Sequence, residues 1–434
     1  MTISWSESFS DWWHASRALQ HPTTPQLVSD PRYVAARARI TDLERQLLSD
    51  AMPAAAGPQW DLIDTEVAPG VIFHECRVFD DRYPVERHVV VVHGYMAAMG
   101  YFGGNLAAWA VPGVVVHAID WPGFGNSSRP KFPDSLLDDK EKISDRIAQV
   151  KAVERWFIDH LETWRRTHNI AQFDLVGHSM GGYLAACYYL EYGTDIVTKL
   201  VLLSPMGTED SAFSLIDGND IDGAGSVGAH PESRGNDPLE EVVGTEDERQ
   251  QLWQRVGGPS FPNHVIVRTI WRHHLSPVGL LNYCGPLSSK MLSLWTYQRF
   301  AHNPPEVIHT LHAYSFAIFY QYSGSGERAI TKLVNANILA YLPLCQRELP
   351  RALARNHTPT LVMYGTKDWM NRRGGEHLVN EIVQAGGDAQ YKEIDGGHHM
   401  YLDNRHATNA AVAQFLGLNL DDGVVTSNDA AATA

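Results

Sequence analysis

The feature that most constrains this sequence is a five-residue turn, Gly177-His178-Ser179-Met180-Gly181, set between the apolar run Phe173 to Gly177 and the apolar stretch Gly181 to Tyr192. A strand that reverses into a helix within so few residues passes through strained backbone. Glycines on either side of the central residue let strand, turn and helix approach closely. Such a turn lifts the serine hydroxyl above the end of a sheet, and the N-terminus of the following helix favours negative charge developing there. The segment therefore predicts strand, elbow and helix, with Ser179 as candidate nucleophile and Gly177 and Gly181 as the elbow glycines.

The same rhythm runs through most of the chain. Trp60 to Asp80 alternates apolar and polar residues as short strands do. Val89 to Val92 is a β-branched run ending at His93-Gly94, and Val114 to Ile119 repeats it and stops at Asp120. Asp138 to His168 then keeps helical spacing through Ile143, Ile147, Val150, Val153, Trp156 and Phe157. Later come Leu200 to Leu203, Thr360 to Tyr364, Glu376 to Gln384, Gln390 to Ile394 and a last helix near Ala407 to Leu416. Strands alternating with helices predict the α/β class, a mainly parallel central sheet flanked by helices on both faces.

Between Pro205 and about Pro350 the rhythm fails over an interval too long for a loop, so a large, mostly helical cap insertion is expected. The expected division is a helical segment 1–58, core residues 59–207, a cap 208–350, core residues 351–418 and a disordered tail 419–434. Within the cap, 208–250 carries many acids against only Arg234 and Arg249, which predicts a mobile stretch. With 434 residues, 44% hydrophobic, the chain can bury one large core and such an elaboration.

A net charge of -15 without a basic stripe excludes nucleic acid as a partner and opposes adsorption to anionic membranes. Membrane contact, where it occurs, is then peripheral and rests on aromatic rings. Trp5, Phe9, Trp12 and Trp13 are the candidates for it, or else pack on the protein's own core. Stretches such as Val111 to Ile119 are too short to span a bilayer. Glu7 and Asp11 interrupt the order of a secretory signal, so an intracellular protein is expected. Cys76, Cys187, Cys284 and Cys345 lie far apart and are expected as free thiols, and no metal or organic cofactor is implied.

A serine hydroxyl is a weak nucleophile and needs a base oriented by a third group. Asp368 follows the strand Thr360 to Tyr364 through Gly365-Thr366-Lys367 and is the candidate acid, with Glu209 or Asp210 beyond Leu203 as the other places for one. His398 lies past the last strand in Asp395-Gly396-Gly397-His398-His399, where glycines permit a turn back toward Ser179, and His399 competes with it for the role of base. The backbone N–H groups of Tyr95 and Met180 are the candidate oxyanion donors, with His93 holding the loop. Arg129 and Lys131 form a basic pair near the expected pocket rim, where a head group could meet them.

With these pieces in place, the chain resembles the α/β-hydrolase family of cardiolipin-specific deacylases, the related N-acyl-phospholipid lysophospholipases and the lipid-droplet lipase co-activator. The match is carried by Trp12-Trp13, by Leu43-Glu44-Arg45-Gln46-Leu47-Leu48, by His93-Gly94-Tyr95 and by Asp120-Trp121-Pro122-Gly123-Phe124-Gly125-Asn126-Ser127-Ser128-Arg129-Pro130. It continues through Gly177 to Gly182, Ser325-Gly326-Glu327, Pro343 to Arg347, Tyr364 to Met370 and Gly397 to Asn404. The resemblance favours His398 over His399, because His398 and Asp403 then form the family's HxxxxD pattern, cited there for lysophosphatidic acid acyltransferase activity. Asp403 or Asn404 is otherwise expected to cap the last helix. Asn371 stands where the deacylases show an acid, and 208–250 has no counterpart.

What the resemblance implies is a serine hydrolase deacylating membrane glycerophospholipids, cardiolipin among them, without cofactor, peripheral to a membrane and mitochondrial; a cytoplasmic or lipid-droplet-associated protein is the other expectation. The alternatives are an acyl-CoA-dependent lysophosphatidic acid acyltransferase and a non-catalytic lipid-surface scaffold. Trp253, Phe261, Trp271, Trp295, Phe300, Phe316, Phe319 and Tyr320 wall an acyl-chain channel on this reading, or else form an ordinary cap core.

Overall fold

The computed structural model describes residues 2–18, 30–52, 58–210, 213–216, 269–276, 279–301, 303–321, 324–336 and 338–418. Most of the acidic stretch, Trp253, Phe261 and the tail 419–434 lie outside the described residues.

Eight strands form one sheet. They are β1 (Gln59–Ala68), β2 (Val71–Phe79), β3 (Arg87–Val92), β4 (Val114–Ile119), β5 (Phe173–His178), β6 (Val197–Leu203), β7 (Thr360–Gly365) and β8 (Ala389–Ile394), in the order β1-β2-β4-β3-β5-β6-β7-β8. β1 and β2 make a hairpin through Gly70, β2 runs antiparallel to β4, and β4 through β8 are parallel. The parallel strands β3, β5 and β7 are buried on both faces, which is why they read as unbroken apolar runs. Val90, Val92, Leu175 and Leu202 face a core shared with the helices Ile143–Thr167 and Met180–Glu191. Val89, Val91, Val176 and Leu203 face a second core shared with the helices Gly103–Trp109, Pro305–Phe319 and Arg405–Leu416.

The helix expected from Asp138 begins at Ile143. The carbonyl of Asp138 is taken by the side chains of Gln149 (2.6 Å) and Lys332 (3.3 Å), so it is not free to start a helical turn. Asp145 in its first turn and Arg165 and Arg166 in its last complement the helix dipole. The last helix, Arg405–Leu416, is capped by Asn404, whose side chain accepts the N–H of Ala407 at 3.2 Å. Asp403 takes no part in that cap and is engaged elsewhere.

Between β6 and β7 lie the helices Gly279–Tyr283, Leu287–Arg299 and Pro305–Phe319. The N-terminal helix Trp5–Ala18 packs against Leu287–Arg299 through Ser8, which donates to the carbonyl of Pro286 at 2.6 Å and accepts the N–H of Lys290 at 2.8 Å. Trp12 is half-buried there, whereas Trp5, Phe9 and Trp13 are exposed. Phe300 and Phe319 are buried in the second core, and Phe316 stacks on Tyr320. These cap aromatics therefore act as core. Among the described residues no helix is long and apolar enough to cross a membrane. Cys76 and Cys187 are buried, Cys284 and Cys345 half-buried, and none is in a disulfide.

Candidate functional site

Ser179 stands between β5 and the helix Met180–Glu191 with φ 54° and ψ −119°, a conformation that residues with a side chain seldom adopt. The turn is over-determined: the N–H of Ser179 donates to the carbonyl of Leu203 at 2.9 Å, and its own carbonyl accepts from Tyr183 and Met206. A side chain on Gly181 would overlap the carbonyl oxygen of His93, and one on Gly177 would crowd Gly182 and Ala185. The two glycines are thus required by close approach.

His398 Nε2 lies 3.0 Å from Ser179 Oγ, and His398 Nδ1 lies 3.0 Å from Asp368 Oδ1. Asp368, after β7, also accepts the N–H of Met370 at 3.0 Å on that oxygen and the hydroxyl of Ser204 on the other. A carboxylate held by several donors stays aimed at one imidazole nitrogen, and the other nitrogen is left to take a proton from the hydroxyl. The Trp369 ring packs against that of His398, centroids 4.7 Å apart and planes tilted by 45°.

The other candidates fall elsewhere. His399 receives the Arg299 guanidinium at Nδ1 (3.2 Å), and burial with the Arg299 charge holds its imidazole well below its ordinary pKa. Glu209 is buried, which pushes its carboxyl up to about 7, and Asp210 accepts a hydrogen bond from Gln346. Asp403 pairs with Arg299 at 2.6 Å and accepts the N–H of Gly397 at 2.8 Å.

His93 is depressed to about 4 by burial, so its ring is neutral. It donates from Nδ1 to the carbonyl of Gly94 (2.7 Å) and accepts the N–H of Trp121 (3.1 Å), fixing the loop after β3. That loop reaches the nucleophile: a Cβ on Gly94 would stand 2.8 Å from Cβ of Ser179. Tyr95 follows directly, its hydroxyl tied to the carbonyl of Glu327 at 3.0 Å. Met180 is the first residue of its helix, so its N–H has no intrahelical acceptor.

Arg129 is not available at a pocket rim. It is buried, and its guanidinium donates to the carbonyls of Gly123 (2.6 Å) and Ile318 (3.1 Å), while Lys131 is exposed and pairs with Asp134. The Arg129 fork serves backbone carbonyls, so of this pair only Lys131 reaches solvent. Two contributors carried no signal in the sequence. Ser204 is one serine after a strand, and its role follows only from β6 and β7 being neighbours. Arg299 ends a cap helix 100 and 104 positions in sequence before the two residues it meets, His399 and Asp403.

The strand order, the elbow and the order serine, acid, histidine define an α/β-hydrolase, and the sequence pattern of the α/β-hydrolase fold matches residues 87–228. Outside that segment the likeness is carried by curated relatives that match about three quarters of the chain. The chain is 26% identical over 349 residues to a probable 1-acylglycerol-3-phosphate O-acyltransferase of Oryza sativa, covering 78% of this chain and 72% of that one. It is 23% identical to a 1-acylglycerol-3-phosphate O-acyltransferase of Saccharomyces cerevisiae, covering 75% and 81%. With the human (lyso)-N-acylphosphatidylethanolamine lipase it shares 27% identity, covering 77% and 79%.

Proposed function

We propose that this protein is a serine ester hydrolase that deacylates membrane glycerophospholipids, a phospholipase A-type enzyme with cardiolipin among its substrates. The observation that carries the reading is the chain of contacts Ser179 Oγ, His398 Nε2, His398 Nδ1 and Asp368 Oδ1, each polar step 3.0 Å. On this reading Ser179 Oγ attacks the acyl carbon as His398 Nε2 takes its proton. The oxyanion is met by the N–H groups of Tyr95 and Met180, each donor contributing about 3 kcal/mol in the transition state. The ester bond breaks, His398 returns the proton to the departing lysolipid oxygen, and water repeats the sequence on the acyl-enzyme. Asp368 keeps the imidazole oriented throughout.

Acyl transfer from acyl-CoA to lysophosphatidic acid is the second reading, favoured by the names of two relatives. Both reactions share the Ser179 acyl-enzyme and differ in what resolves it. A scaffold without chemistry would have no use for a hydroxyl, imidazole and carboxylate aligned in this way. The deciding experiment gives the purified protein labelled cardiolipin, other phospholipids, and lysophosphatidic acid with acyl-CoA. Release of fatty acid that Ser179→Ala abolishes is the expected result. Faster formation of acyl-CoA-dependent diacyl product would replace hydrolysis with transfer.

A further inference from the structure

His398 is carried on a loop that begins Asp395-Gly396-Gly397, a sequence with more backbone freedom to lose than any other pair of residues would bring. Yet a base must stay within roughly 0.5 Å of its working position. The structure supplies restraint at each of three successive residues. The N–H of Gly397 donates to Asp403 Oδ2 at 2.8 Å, the carbonyl of His398 accepts from His178 Nε2 at 3.0 Å, and His399 Nδ1 accepts from Arg299 Nε at 3.2 Å. Arg299 Nη1 then closes the ring on Asp403 Oδ1 at 2.6 Å.

Arg299 thus touches both flanks of the base, directly at His399 and through Asp403 at Gly397. The Arg299 and Asp403 side chains are only 17% and 12% exposed, so water and salt compete weakly with the pair. Both oxygens of Asp403 are used in this way, and the carboxylate that meets the His398 ring is Asp368. Arg299 sits in the last turn of Leu287–Arg299, the helix on which Trp5–Ala18 packs.

We propose that Arg299 and Asp403 are positioning residues, a clamp that fixes the His398 loop to the helix Leu287–Arg299. On this view the spacing from His398 to Asp403 records a brace for the base and not an acid taking part in acyl transfer. The inference rests on Ser179 and His398 being nucleophile and base, and its test separates the two. Wild type, Asp403→Asn, Arg299→Gln and Arg299→Lys are compared for p-nitrophenyl butyrate hydrolysis, for the rate of fluorophosphonate labelling at Ser179, and for thermal unfolding. Asp403→Asn and Arg299→Gln are expected to lower kcat and the labelling rate together by about a hundredfold with KM little changed. Arg299→Lys, which keeps the charge and can still reach Asp403, should recover much of that loss. Wild-type rates in Asp403→Asn and Arg299→Gln overturn the clamp, as does hydrolysis kept while acyl-CoA-dependent acylation of lysophosphatidic acid is lost. Should Asp403→Asn fail to fold, the contrast between Arg299→Gln and Arg299→Lys decides. A wild-type chain whose Ser179 is not labelled instead overturns the nucleophile reading and removes the clamp's purpose with it.

Discussion

The backbone of Gly365, the last residue of β7, lies against the backbone of Gly397, so that a side chain on Gly365 would overlap the carbonyl oxygens of Gly396 and Gly397. Lys367 N–H adds a hydrogen bond to the carbonyl of Gly396 at 2.8 Å. The strand that delivers the candidate acid and the loop that delivers the candidate base are therefore in backbone contact, one residue before His398 and three before Asp368. A methyl group at Gly365 must push the loop outward. Gly365→Ala is expected to lower ester turnover by about a hundredfold, as a displacement near 1 Å does, and to cost about 1–3 kcal/mol of stability as overpacking. Steady-state hydrolysis and denaturant unfolding of the variant check this. Turnover equal to wild type would mean that the loop has slack the structure does not show.

A second prediction concerns the ionic group, centred on the buried His74 and Glu44, that ties the helix Pro31–Ala51 to the sheet. His74 lies 3.0 Å from Glu44 and 2.7 Å from Asp64, and Arg37 reaches Asp64 at 2.7 Å. Burial disfavours the charged imidazole, but the Glu44 charge and the hydrogen bonds to Asp64 and Glu44 outweigh it and raise His74 to about 10, from an ordinary value of 6.5. The folded state thus binds this proton more tightly than the unfolded chain. The stabilisation is complete below pH 6.5 and drains away as pH rises from there toward 10. His74→Gln leaves the buried Glu44 with the neutral donors Asn126 and Tyr314 but no cationic partner, and is expected to cost about 3 kcal/mol near pH 6. The gap between wild type and variant should narrow steadily toward pH 9.5, measured by urea unfolding in series. A gap independent of pH would mean that His74 is neutral in the folded protein.

How far the sequence could be read follows from what each residue's role depends on. The strands β3, β5 and β7, the elbow and the two glycines beside Ser179 are dictated by local pattern and close packing, and local pattern is visible in one dimension. The start of the helix at Ile143 was not, because the carbonyl of Asp138 is claimed by Gln149 and by Lys332, which lies far along the chain. Arg129 is illegible for a similar reason: a charged residue in a loop reads as exposed, and only the fold brings the carbonyls of Gly123 and Ile318 to its guanidinium. The brace around His398 was hidden most thoroughly. Asp403 and Asn404 are adjacent and equally fit to cap a helix, and only the position of Arg299 divides the work between them.

The third prediction is that the helix pair Trp5–Ala18 and Leu287–Arg299 docks on a lipid surface. Trp5 is 63% exposed, Phe9 51% and Trp13 43%, with Phe9 and Trp13 stacked at 6.1 Å. On the neighbouring helix Leu287, Met291 and Leu294 are also exposed, and their spacing of four and three residues places them on one stripe. Exposed apolar side chains gathered on two packed helices are costly in water, and aromatic rings favour the head-group interface. Charge does not drive the contact, since the net charge of -15 opposes an anionic bilayer. Binding should therefore persist on zwitterionic vesicles and at high salt. Trp12 differs from the other rings in being half-buried against the protein, so its replacement should cost stability more than binding. The measurement is flotation with phosphatidylcholine liposomes of wild type, Trp5→Ser/Phe9→Ser/Trp13→Ser and Leu287→Ser/Met291→Ser/Leu294→Ser. Each triple variant is expected to lose most of its flotation while keeping hydrolysis of a soluble short-chain ester, because neither set touches Ser179, His398 or Asp368. Flotation unchanged in both variants would refute docking through this face.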